Sequence, residues 1–98
     1  MITLADLKKL TGKKVIGAKG IIIGEVEGAD LDVATWKITG LQIGLTNEAA
    51  LEAGFKRPML SQIVVVIPPT LISGVGDVIT LTSQVENLKD FVKFSGFR

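Results

Sequence analysis

Four carboxylates, Glu25, Glu27, Asp30 and Asp32, fall within one short stretch of the chain. A calcium loop would alternate its acids, then supply a Gly and a more distant Glu, and Ala34 breaks that pattern. Solvent-facing positions of a strand account for them better. Gly12-Lys13-Lys14 lacks both the earlier Gly and the Ser/Thr after Lys that a phosphate loop requires. Lys56-Arg57 is a lone basic pair that suits a solvated turn. No Cys, His or Tyr is present, so disulfides and Cys/His zinc sites are excluded. The side chains that titrate most easily near neutrality are missing too. A general base would have to be a strongly perturbed carboxylate or lysine. The expectation is a protein without catalytic residues, metal or cofactor.

Ninety-eight residues are one small domain, and 47% hydrophobic against 21% charged residues is a folded composition. A mean hydropathy of +0.46 exceeds what a small core absorbs, which predicts an apolar face turned to a partner. The net charge of +1 excludes bulk attraction to nucleic acid or membrane. Along the chain the charge is uneven. Residues 1–20 carry five lysines and one aspartate, residues 21–54 six acids and one lysine, and residues 55–98 five bases and three acids. Closure of a small sheet would mix these charges, and that is preferred to a two-faced surface orienting a partner or second copy. The aromatics, Trp36, Phe55, Phe91, Phe94 and Phe97, are too few for a stacking platform, so direct nucleic-acid binding is not expected. The longest strictly apolar run, Ile63 to Ile67, is far short of a spanning helix. Membrane insertion is not expected, and a cytoplasmic location is.

These residues need elements to hold them. Thr3-Leu4-Ala5-Asp6 has the spacing of a helix N-cap, with Leu4, Leu7 and Leu10 as one stripe and Gly12 as the stop. Lys13 to Gly17 reads as a short strand and Ile21 to Val33 as a long one. In the latter, Ile22, Val26 and Leu31 share a face only if the pleat slips, and Gly24 and Gly28 are the places for a bulge. Trp36 to Leu45 completes a hairpin. Residues 46–56 predict a helical insertion, capped by Thr46 or Asn47 and stopped by Gly54. Leu60 to Ile67 is the strongest strand signal, ended by Pro68-Pro69. A Gly74 to Asp77 turn leads to the last expected strand, Val78 to Thr82. Ser83-Gln84-Val85-Glu86 has capping-box spacing and predicts a C-terminal helix over about residues 83–94. The sum is a single mainly β domain, a small barrel of five to six strands with short helices at its ends.

Several segments resemble the PRC-barrel family. Gly12-Lys13-Lys14-Val15-Ile16-Gly17 and Lys19 to Glu27 are similar to its opening hairpin, and Leu31-Asp32 with Trp36 to Leu41 to its second. Ile67-Pro68 and Val75-Gly76-Asp77-Val78-Ile79 resemble its closing segment. The match covers about residues 10–82. The turn after Asp32 departs from the pattern, with Trp36 where a Gly is usual. The resemblance implies a six-stranded barrel serving as a docking module, as in the photosynthetic reaction-centre H subunit and the ribosome maturation factor RimM. Stand-alone archaeal members imply a cell-division role with SepF as partner. The alternative it leaves open is a ribosome-assembly or RNA-processing accessory factor.

Three groups of residues are expected to matter. Ile63, Val65 and Ile67 should face the barrel interior, leaving Val64 and Val66 outward as a homodimer interface, the alternative being that the C-terminal helix covers that face within the monomer. Phe91, Phe94 and Phe97 should offer a partner-binding element, or else plug the end of the barrel. Gly24, Gly28, Gly76 and Asp77 should shape bulges and turns, Gly76 through a conformation with little room for a side chain.

Overall fold

The computed structural model describes residues 6–54, 62–82, 88 and 91–96 and shows a mainly β protein. Asp6 starts the first helix, α1 (Leu7–Leu10): its backbone is extended and its carboxylate accepts the Lys8 N–H at 2.9 Å. An extended residue cannot lie inside a helix, so the cap expected at Thr3, outside the described residues, moves to Asp6. Three strands follow as β1 (Lys14–Ile16), β2 (Ile22–Asp32) and β3 (Lys37–Leu45). Helix α2 (Asn47–Glu52) is capped by Thr46, whose Oγ1 accepts the Ala49 N–H at 3.1 Å. Beyond it lie β4 (Gln62–Ile67), a 3₁₀ turn (Pro69–Leu71), β5 (Ile72–Val75), β6 (Val78–Leu81) and β7 (Val92–Gly96).

All seven strands form one mixed sheet in the order β5-β6-β1-β2-β3-β4-β7. The β1–β6 pair is parallel and the others are antiparallel. Among the described residues no ladder joins β5 to β7. The pleat of β2 slips twice. Opposite β1 the register skips Ile23, next to Gly24, and opposite β3 it skips Glu27, next to Gly28. Such bulges bend a strand and increase its twist, and the slips let Ile23, Val26 and the half-buried Ala29 meet one core. That core takes Val15, Ile43, Val65 and Ile79 from four further strands, with Ala49, Ala50 and Ala53 from α2 and its C-terminal end. α1 buries no residue of its own.

Close approach explains two glycines, of backbone at one and of a side chain at the other. A Cβ on Gly24 would lie 2.2 Å from the Gly44 carbonyl oxygen, and one on Gly40 would lie 2.4 Å from Val66 Cγ1. Gly76 is different. It is in the β5–β6 turn with Asp77, but its φ is not positive and a Cβ there meets open space. The crowding expected at Gly76 is therefore absent, and its carbonyl instead accepts the Lys13 ammonium at 2.6 Å.

The C-terminal segment departs from expectation. Residues 92–94 belong to strand β7, paired with β4, where a helix was expected. The proposed capping box at Ser83 lies outside the described residues. The reason for the strand is non-local: β4 has a second edge of backbone N–H and C=O groups that needs a partner, and Val92 and Phe94 suit a strand. Strand β5 was likewise unexpected, because Gly74 and Gly76 make its segment look like turn alone.

Gly24→Ala is expected to destabilise by about 2 kcal/mol, since rigid backbone must shift to admit the methyl group. Gly76→Ala should stay within about 0.5 kcal/mol of wild type. Urea unfolding of both variants checks the contrast.

Candidate functional site

The carboxylates of β2 are largely occupied by the hairpin itself. Glu25 pairs with Lys14 at 2.5 Å across β1 and β2, both side chains about half exposed. An exposed pair of this kind contributes up to about 1 kcal/mol. Asp30 accepts the Gln42 amide at 2.6 Å from β3. Asp32 folds the turn: its carboxylate accepts the Ala34 N–H at 2.9 Å and its carbonyl accepts the Trp36 N–H at 2.6 Å. Among the described residues no three His, Cys, Asp or Glu side chains are grouped to hold a metal. No helix among them is long and apolar enough to cross a membrane.

That turn carries the most unusual residue of the structure. Trp36 has φ 59°, among the described residues the one non-glycine with positive φ. A left-handed conformation brings Cβ against the following carbonyl and costs a non-glycine residue about 1–2 kcal/mol. Burial of the indole does not offset this, because Trp36 is 75% exposed. Val33, in the same turn, is 71% exposed, and Leu31 on the adjoining strand is 40% exposed. Alternation along β2 places Leu31 on the face of Ala29, and the register sets it opposite Ile38. The hairpin thus ends in an apolar tip edged by Asp30 and Asp32. Sequence signalled it through the Trp36 departure, although its exposure was not foreseen.

Two clefts flank this hairpin. One, about 110 Å³, is lined by Leu7, Leu10, Thr11, Val26, Ala29 and Leu41, between α1 and the β2–β3 face. The other, about 210 Å³, lies toward the opposite end and is lined by Lys14, Ile22, Glu25, Glu27, Leu45 and Thr46. Ile21 and Ile22 are exposed at that end, and Leu51 is exposed on α2.

The expected interface residues lie elsewhere. Ile63, Val65 and Ile67 enter the core, so Val64 and Val66 do occupy the other side of β4. That side is not open in the single chain. Val64 is 3% exposed, and Val66 is half-buried over Gly40. β4 is an internal strand between β3 and β7, with Val64 opposite Gly44 on one side and Phe94 on the other. Val64 therefore cannot serve as an exposed dimer contact. Of the expected partner-binding residues, Phe91 is partly buried against the core. Phe94 is held in β7, and Phe97 lies outside the described residues. The helix expected to carry them is a strand at position 94.

No family model and no curated protein matches the chain.

Two variants test this geometry. Trp36→Gly removes the left-handed strain and little packing, and should raise unfolding stability by about 0.5–1 kcal/mol. Val64→Lys should instead lower it by about 3 kcal/mol or more, because the ammonium enters a closed site. Thermal melts of dilute protein read both.

Proposed function

We propose that this protein is a non-enzymatic, dimeric adaptor of the PRC-barrel type, its curved sheet closing as a barrel. It works in the cytoplasm and is recruited to the division site by a division protein such as SepF. The observation that carries the reading is the placing of exposed apolar side chains at the two ends of the β2–β3 hairpin. Leu31, Val33 and Trp36 cluster at its tip, and Ile21 and Ile22 lie at its base. Strand β2 separates them by about 30 Å at its usual rise. An adaptor needs two contacts that do not compete, and this spacing supplies them. The base also has the make-up of a binding patch, aliphatic side chains beside the polar groups of Lys14, Glu25 and Thr46. The PRC-like segments, which run through this hairpin and the β5–β6 closing segment, support the docking role.

The test uses purified SepF and biosensor binding. Ile21→Glu with Ile22→Glu should leave melting near wild type and weaken SepF binding by about tenfold or more. Equal affinity of variant and wild type would remove the base of the hairpin as the docking site. Wild type that ignores SepF at about 100 μM would remove the division partner.

A further inference from the structure

Trp36 poses a physical question that the single chain leaves open. The residue adopts a costly backbone conformation, yet its indole is 75% exposed. A glycine at this position would relieve the strain, and a polar residue would avoid showing an aromatic to water. A surface that covers the indole would supply the gain that the single chain does not.

The chain itself carries a complementary surface. The α1–β2 cleft is lined by Leu7, Leu10, Val26, Ala29 and Leu41, and Leu7 at its rim is 50% exposed. Lys8 and Lys9 are exposed on the same helix. The tip is acidic on balance, with Asp30 and Asp32 beside its apolar residues and Lys37, opposite Asp32 in the register, offsetting one of them. An apolar knob edged by acids and an apolar cleft edged by lysines are complementary in polarity and in charge.

Their placing on one hairpin suits a two-fold pair. The cleft meets β2 at Ala29, and Val33, in the turn just past the strand, lies about 13 Å farther along the chain. Leu31, half-exposed on the face of Ala29, bridges the two. Two hairpins crossing in opposite directions would seat each tip against the other's cleft, with both contacts made at once. An anionic lipid surface fits less well, because the two acids at the tip outnumber Lys37 and would be repelled by its headgroups.

We propose that the Leu31–Val33–Trp36 tip of the β2–β3 hairpin docks in the α1–β2 cleft of a second copy of this chain, reciprocally. This rests on the dimeric part of the adaptor reading and names the surface that carries it.

Trp36 is the sole tryptophan, so its emission reports the tip directly. Sedimentation velocity from about 1 to 200 μM should show a dimer, with tryptophan emission shifting to the blue as it forms. Trp36→Gly and Leu7→Asp should each weaken the dimer by about tenfold or more while the monomer stays folded, Trp36→Gly with an unlowered melt. A benzophenone amino acid in place of Trp36 should cross-link to residues 7–11 of the other copy. Added salt should weaken association, because the contact includes opposite charges.

A dimer whose strength is unchanged in Trp36→Gly, or whose cross-links fall outside residues 7–11, would overturn this surface and leave the dimeric reading standing. A wild type that stays monomeric throughout the range would overturn both. An emission shift with phosphatidylcholine–phosphatidylglycerol vesicles, without self-association, would assign the tip to lipid and sink the proposal. SepF binding is read separately through Ile21 and Ile22, so its failure does not count for or against the tip.

Discussion

Strand β4 cannot stand alone. Ile63 to Ile67 are five β-branched residues in succession, four of them buried and Val66 half-buried. A strand of that composition needs cover on both faces and hydrogen-bonding partners on both edges. β3 takes one edge and β7 the other. Because β3 is also the return strand of the long hairpin, β2 and then β1 are brought into the same sheet. The C-terminal segment is drawn to the remaining edge. Much of the topology follows from satisfying this one apolar strand.

That dependence also explains which parts could be read from sequence. The alternation of Ile63, Val65 and Ile67 against Val64 and Val66 is local, and it correctly separates the two faces of β4. The insertion helix is local as well, because Thr46 and an alanine-rich turn suffice to specify it. Strand β7 is not. Its conformation is set by an edge about 30 residues earlier in the chain, while Ser83 to Glu86 offers a helical signal close at hand. The same blindness affected Val64: periodicity tells which side a residue takes but not whether that side is covered. Gly76 misled for another reason. A glycine next to an aspartate marks a turn, but the turn type, and so the sign of φ, depends on the strands it joins.

The acidic stretch shows how a cluster that resembles a reactive site can be structural. Asp32 closes the hairpin turn, Asp30 ties β2 to β3 through Gln42, and Glu25 meets Lys14 across β1. Asp30 and Asp32 accept hydrogen bonds from within the hairpin, which orients the turn that presents Val33 and Trp36, whereas Glu25 ties the hairpin to β1. The candidate site was therefore legible only in part. Its polar supports were visible as a charge run, whereas the exposure of Leu31, Val33 and Trp36 was not, because local sequence does not tell which apolar side chains the fold leaves uncovered.

The parallel pairing of β1 with β6 bears on the order in which the chain acquires its structure. Val15 is opposite Ile79, so the β1 ladder cannot be completed until roughly 60 more residues have been added. At ribosomal rates of ~5–20 residues per second, that interval lasts about 3–12 s. The β2–β3 hairpin, with its turn closed by Asp32 alone, needs no such wait. Folding during synthesis would then begin from the hairpin, with one β1 edge held open until β6 has been made, the period in which a chaperone would have most to protect.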